Sequence, residues 1–290
     1  MLKVILIIVI ALLVLIVVSW GIHYYMKYEK TQTDEYSFNK LEFSSSSTTH
    51  NLPNIEIVFD NNPYNEELKT SWGFACVIEK TEKTILFDSG GSGAILLENM
   101  EKLKINPRDI NIVFLSHIHG DHVGGIYGFL EKNCEVTVYM PESFPEQFKK
   151  NIEEFGASVV KVSKPIKICN GVYSTGELGS GVKEQSLIIK TNKGLIIITG
   201  CAHPGIVSIV ERSEQLMNDK VLLVMGGFHL SGYSLDEIES IVSAFKNLEV
   251  CYTGPCHCSG EAARRIFEHE YKQYYIDVGV GKIIEIEDLK

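Results

Sequence analysis

The chain has 290 residues, 45% hydrophobic and 22% charged, which is ample for one large core. Its formal net charge of −10 excludes a broad nucleic-acid-binding face, because there is no surplus of Lys and Arg to neutralise a phosphate backbone. Seven cysteines, an odd number, exclude complete pairing within the chain.

Residues 4–22 read VILIIVIALLVLIVVSWGI, with no charge and no proline. As a helix this run rises about 28 Å, close to the hydrocarbon thickness of a bilayer. It is apolar all round, unlike an amphipathic core helix. It is also long for a signal-peptide core, and Ser19-Trp20-Gly21-Ile22 is bulky where a small-x-small cleavage site would lie. Trp20, Tyr24 and Tyr25 suit a membrane–water interface, so residues 1–26 read as a single membrane anchor. The short N-terminal side and the acidic Glu29, Asp34 and Glu35 beyond the run fit an extracytoplasmic domain. Unpaired cysteines pull the other way, towards a reducing compartment. Residues 27–52 are polar and lack hydrophobic periodicity, as a flexible tether would, with His50 a solvated residue in it.

Residues 53–290 form the catalytic domain in this reading. Apolar, β-branched runs predict strands at 55–59, 74–78, 84–87, 112–115, 136–139, 158–162, 166–173, 186–189, 195–199, 221–225, 250–252 and 273–278. Several are continuous rather than alternating, the pattern of strands covered on both faces. Helices are predicted at 94–103, 123–130, 205–217, 235–245 and 262–269, and Ser234 with Glu237 can form a capping box at the start of one. Strands with helices outside them point to a layered α/β fold.

One segment carries concentrated chemistry. An apolar run ends in Ser116-His117-Ile118-His119-Gly120-Asp121-His122. His117 and His119 alternate around one residue, so extended backbone points both imidazoles the same way. Gly120 is read as a bend that brings Asp121 and His122 to a second position. Three imidazoles and a carboxylate form a nitrogen/oxygen donor set suited to zinc, manganese or iron. Cys256-His257-Cys258 invites a zinc-finger reading, but such a run cannot wrap one ion without strain and no partner Cys-x-x-Cys exists. A Cys256–Cys258 disulfide would also be strained, which leaves small residues packed beneath a loop.

The His-x-His-x-Asp-His run after an apolar strand resembles the metal-binding motif of the metallo-β-lactamase superfamily. Other segments fit in order: Leu86-Phe87-Asp88-Ser89-Gly90, then Thr199-Gly200-Cys201-Ala202-His203-Pro204-Gly205, then Gly254-Pro255-Cys256-His257-Cys258. Asp60-Asn61-Asn62, Ser71-Trp72-Gly73, Thr175-Gly176-Glu177 and Gly226-Gly227-Phe228-His229-Leu230 narrow the resemblance to the dihydropterin synthase-like branch of metal-dependent hydrolases. The resemblance covers residues 54–285 and implies an αββα sandwich with two divalent metal ions at one edge. It assigns His117, His119 and His203 to one ion, and Asp121, His122 and His257 to the second. Asp88 would accept hydrogen bonds from the histidines and orient them. Cys201 stands where many relatives carry a bridging aspartate, and both a bridging thiolate and an inert buried thiol remain open. His229 would ligate or reach the substrate.

The function implied is hydrolysis of an ester, amide or phosphoester bond in a small molecule by a metal-activated water. Zinc is the expected metal, Asp121 and His229 the catalytic side chains. The acidic balance argues against RNA processing, and no β-lactamase-type loop is identifiable. Two further readings stand beside this one: a pterin–ribofuranosylaminobenzene phosphate synthase, and a non-catalytic membrane-tethered binding protein.

Overall fold

A computed structural model describes residues 52–290. The anchor at 1–26, His50 and all but the last residue of the tether lie outside the described residues. Among the described residues no helix is long and apolar enough to cross a membrane.

Among the described residues, thirteen strands build two sheets. The first holds β1 (Asn54–Phe59), β2 (Ala75–Glu79), β3 (Ile85–Phe87), β4 (Ile112–Phe114), β5 (Thr137–Pro141), β6 (Ser158–Val162) and β13 (Ile283–Glu285), in the order β13-β1-β2-β3-β4-β5-β6. The second holds β7 (Ile166–Cys169), β8 (Val172–Ser174), β9 (Leu187–Thr191), β10 (Gly194–Thr199), β11 (Val221–Gly227) and β12 (Tyr252–Cys256), in the order β12-β11-β10-β9-β8-β7. Each sheet is antiparallel in one part and parallel in the other. The parallel strands are β3 to β6 in the first and β10 to β12 in the second.

Alternation along the strands explains the layering. Ile55, Ile57, Cys76, Ile78, Ile85, Phe87, Ile112 and Phe114 face inward, against Val172, Leu187, Ile189, Ile196, Ile198 and Met225 of the other sheet. Their neighbours Ala75, Val77, Leu86, Val113 and Val138 face outward, onto Leu96 and Met100 of α1 (Gly93–Lys102), Ile126 and Phe129 of α3 (Ile126–Leu130), and Ile152 of α4 (Glu146–Glu154). On the far side α5 (Ile206–Met217), α6 (Leu235–Asn247) and α7 (Glu261–Tyr271) cover the second sheet, with Phe228, Phe245 and Phe267 packed ring to ring. The order helix, sheet, sheet, helix is the expected α/β architecture. Both faces of most strands are therefore buried, which is why their sequences run apolar without a break.

The structure corrects the expected elements in five places. The run at 166–173 is two strands, β7 and β8, turned back at Asn170-Gly171, where Gly171 takes φ +73°. The stretch at 273–278 forms no strand and only a single bridge, Thr253 to Tyr275; the edge strand beside β1 is β13 instead. The strand expected at 250–252 starts at Tyr252 and runs to Cys256, its Pro255 lying on the edge strand of the sheet. The helix expected at 123–130 is two pieces, α2 (Gly120–Val123) and α3. Finally, α4 went unread. It is short and polar, with only Lys149 and Ile152 buried.

Candidate metal centre

Strand ends place every side chain of the centre. In the first sheet Asp88 follows β3, and the His117 to His122 segment follows β4. In the second sheet Cys201 and His203 follow β10, His229 follows β11, and His257 follows β12. All five segments leave the carboxyl ends of parallel strands, so they converge on one edge of the sandwich. The backbone is bent hard at these exits. Asp88, Ala202, His229 and His257 adopt φ of 53°, 55°, 55° and 48°, a conformation that L-residues with side chains rarely take. Such strain persists where the surroundings enforce it and clusters at functional sites. Gly200 allows the two sheets to close beneath the site, since a Cβ there would lie 2.1 Å from Ser116 Oγ.

Two donor sets lie side by side. In the first, His119 Nδ1 is 3.2 Å from His117 Nε2 and 3.2 Å from His203 Nε2. In the second, His122 Nε2 is 3.2 Å from both His257 Nε2 and Cys201 Sγ. Asp121 Oδ2 stands 3.1 Å from His257 Nε2 and 3.6 Å from His122 Nε2. Within each set all donor atoms lie within 4.8 Å of one another, and Cys201 also groups with His203 and His229. A tetrahedral zinc ion with bonds of about 2.0–2.1 Å has nitrogen–nitrogen edges of about 3.3–3.4 Å. The imidazole spacings match those edges, and the donor chemistry suits a divalent ion.

Protonation fits as well. Burial, followed by the neighbouring imidazoles, drives the His117 pKa well below its ordinary value. Burial, His229 and His119 lower that of His203 to about 4, so both rings are neutral at pH 7 with lone pairs free. Burial works against an ionised Asp121, but His257 and His122 outweigh it and hold its carboxyl well below the usual range. Neutral imidazole and ionised carboxylate are the forms that bind metal.

A buried layer fixes these rings. Asp88 Oδ1 accepts from Ser116 N at 2.7 Å, and Oδ2 takes Ser116 Oγ and His122 Nδ1 at the same distance. Burial raises the Asp88 pKa against the pull of His122 and Ser116. In the same pair burial disfavours a charged His122, but Asp88 outweighs it and the ring's pKa rises. Ser116 Oγ also lies 3.0 Å from His117 Nδ1, and Asn61 Oδ1 accepts from His257 Nδ1 at 2.8 Å. Each of these contacts keeps a proton on Nδ1 and leaves Nε2 facing the donor set.

Glu184 has the largest such role, and sequence reasoning missed it. Fully buried, its Oε1 accepts from Thr199 Oγ1 and from the backbone N–H groups of Gly200, Cys201 and Ala202, while Oε2 accepts from His203 N. One carboxylate thus shapes the loop that presents Cys201 and His203. It stands in a polar stretch with no motif of its own, 15 residues before Thr199. Cys258, expected to pack beneath the loop, has its Sγ 3.2 Å from that of Cys201. All seven cysteines are free thiols. The expected role of Gly120 is corrected: it opens the helical turn α2, and a Cβ there would meet nothing within 4 Å, so the turn itself carries Asp121 and His122 around.

Comparison with known proteins agrees with this geometry. Residues 73–201 match the family model described as the metallo-beta-lactamase superfamily. The chain is 32% identical over 271 residues to the 7,8-dihydropterin-6-methyl-4-(beta-D-ribofuranosyl)-aminobenzene-5'-phosphate synthase of Methanocaldococcus jannaschii, spanning 77% of this chain and 92% of that one. This chain belongs to the metallo-beta-lactamase superfamily. Among solved structures, Tm1679, a metal-dependent hydrolase of the beta-lactamase superfamily, matches with a TM-score of 0.68 and 29% identity, over 81% of this chain and 99% of that one. Human tRNase Z, short form, matches at a TM-score of 0.56 and 14% identity over 80% of this chain and 99% of its own, a likeness of fold alone. Members of this superfamily typically bind metal ions, often zinc, and the two donor sets stand where the five strand exits converge.

Proposed function

We propose that the chain is a binuclear metal-dependent hydrolase acting on an ester, amide or phosphoester bond of a small molecule. The observation that carries this reading is the pair of donor sets meeting at Cys201, whose Sγ is within 4.8 Å of donors on both sides. His117, His119 and His203 would hold one ion; Asp121, His122 and His257 the other, with Cys201 between them. Two adjacent divalent ions supply a water ionisable near neutral pH and polarise the oxygen of the bond to be cleaved. Zinc suits the donors best, and manganese or iron share them.

The chain's own side chains do the rest. Asp121 remains anionic across neutral pH and can orient an attacking water through its carboxylate. Asp88, Ser116 and Asn61 hold three imidazoles in one tautomer through the reaction. His229 is exposed, its ring 4.5 Å from that of His203. A hydrogen bond to Cys258 raises its pKa against burial. We assign it to the substrate, where its N–H would donate to the leaving-group oxygen of an ester or phosphoester, or protonate the leaving nitrogen of an amide.

The test is metal content and turnover together. Purified chain loaded with zinc or manganese should retain two equivalents, hydrolyse members of a panel of phosphodiesters, lactones and thioesters, and lose both properties in His117→Ala. Full turnover by a metal-free chain sinks the reading.

The likeness to the Methanocaldococcus synthase favours a second reading, condensation of a pterin with a ribofuranosylaminobenzene phosphate. It requires an active site in the cytosol, where pterins reside. We keep the anchor at 1–26, with an extracytoplasmic domain, as part of the hydrolase reading on the strength of the apolar run at 4–22. Protease accessibility in intact cells separates the two: a shielded domain supports the synthase, a cleaved one the hydrolase.

A further inference from the structure

Trp72 is 56% exposed, although burial of an indole is worth more than that of almost any other side chain. It is nonetheless held firmly. Ser71 N–H donates to Asp60 O at 3.2 Å, and the buried Asn99 both accepts from Lys69 N at 2.9 Å and donates to Lys69 O at 2.8 Å. Gly73, at φ +139°, lies so close to the centre that a Cβ there would sit 2.4 Å from Asp121 O. The loop is thus pinned against the segment that carries Asp121 and His122.

What Trp72 touches gives it meaning. Its ring centroid is 4.7 Å from that of His257, with the planes inclined at 55°. His257 itself is almost wholly buried. A rigid, solvent-facing indole on a metal-site imidazole places an apolar π-face at the rim of the centre. A flat ring bound there would stack on the indole while its attached group reached the donor sets. A protein partner covering Trp72 would instead block the centre, which makes a small ligand the fitting occupant.

We infer that Trp72 is a specificity residue whose indole stacks a planar aromatic ring of the substrate, so that the bond acted on belongs to an aryl-bearing compound. This rests on the proposed hydrolase reading and narrows its substrate class. Aromatic stacking of this kind is sequence-tolerant but demands flatness, so a saturated ring of equal size should bind less well.

The experiment uses two non-hydrolysable probes of equal charge, phenylphosphonate and cyclohexylphosphonate, titrated by calorimetry into the zinc-loaded full chain. The planar probe should bind about tenfold more tightly, ~1.4 kcal/mol. That preference should vanish in Trp72→Ala and survive in part in Trp72→Phe, with zinc content unchanged in both. In a Trp20→Phe background Trp72 is the remaining indole, and its fluorescence should respond to the planar probe. Equal affinities for the two probes, no binding of the planar one, or a preference untouched by Trp72→Ala would each overturn the inference. The hydrolase reading fails separately, through absence of turnover, and the binding preference is measured without turnover.

Discussion

Replacing Asp88 with asparagine tests how the proposed second metal position would be made. The carboxylate serves three donors at 2.7 Å: Ser116 N, Ser116 Oγ and His122 Nδ1. Asparagine has the same shape but only one acceptor oxygen. If that oxygen stays with Ser116 N, the amide NH2 faces His122 Nδ1 and drives the ring's proton to Nε2. That atom is the one 3.2 Å from both His257 Nε2 and Cys201 Sγ, and once protonated it cannot ligate. If the amide flips, the oxygen serves His122 and the NH2 meets the N–H of Ser116, leaving buried donors opposed at about 1–3 kcal/mol. Either arrangement costs the metal-bound state ~1–3 kcal/mol, or roughly 10- to 100-fold in affinity. The loss should fall mainly on the ion proposed for His122, Asp121 and His257. Competition with a chromogenic chelator, with circular dichroism to verify folding, should show one tight zinc and one weakened. Two zincs bound as tightly as in the parent chain would refute the tautomer argument.

Three further outcomes are expected. Glu184→Ala strands five donors that now share one carboxylate, four of them buried, and should lower unfolding free energy by about 4 kcal/mol or more, read from the urea midpoint. A shift below ~1 kcal/mol would mean that the loop is shaped by something else. Cys201→Ser should abolish the sulfur-to-metal charge-transfer band of the cobalt-substituted chain; a band that persists removes Cys201 from the centre. Asp60 is fully buried, and burial raises its pKa from 3.8 to about 6. The folded chain therefore holds this proton more tightly than the unfolded one, so stability is lost as pH climbs from about 4 to 6 and stays lost above, by ~3 kcal/mol at most. Asp60→Asn lacks that loss. Its stability gain over the parent should grow across that window and level off, and a gain that does not vary with pH contradicts the assignment.

The centre was more legible than the fold around it. His117, His119, Asp121 and His122 are adjacent in sequence, and one strand exit places all four. His203 and His257 needed the family resemblance, because nothing local to either residue says that β10 and β12 end beside β4. Glu184 was illegible for a related reason. Its partners are backbone amides, which carry no residue identity, and a motif cannot record them. Strands buried on both faces stood out as apolar runs, yet length alone misled at 166–173, where the chain reverses after four residues, and at 273–278, where an apolar texture covers a segment with a single bridge. Trp72 was visible only as part of Ser71-Trp72-Gly73; its exposure is a property of the packed molecule.

The donor sets draw on both sheets, and this orders events during synthesis. When the segment from His117 to His122 leaves the ribosome, it carries three imidazoles and a carboxylate but no completed set of either kind. His203 follows more than 80 residues later and His257 more than 130 later. Until then any ion that binds is held by a partial, water-open cluster, and a competing ligand in the cell can remove it. Tight loading must wait for the second sheet to dock on the first. Full loading would then be a record that the whole sandwich has assembled, and a chain arrested before β12 should lack the ion proposed for Asp121, His122 and His257 while still offering the set of His117, His119 and His203.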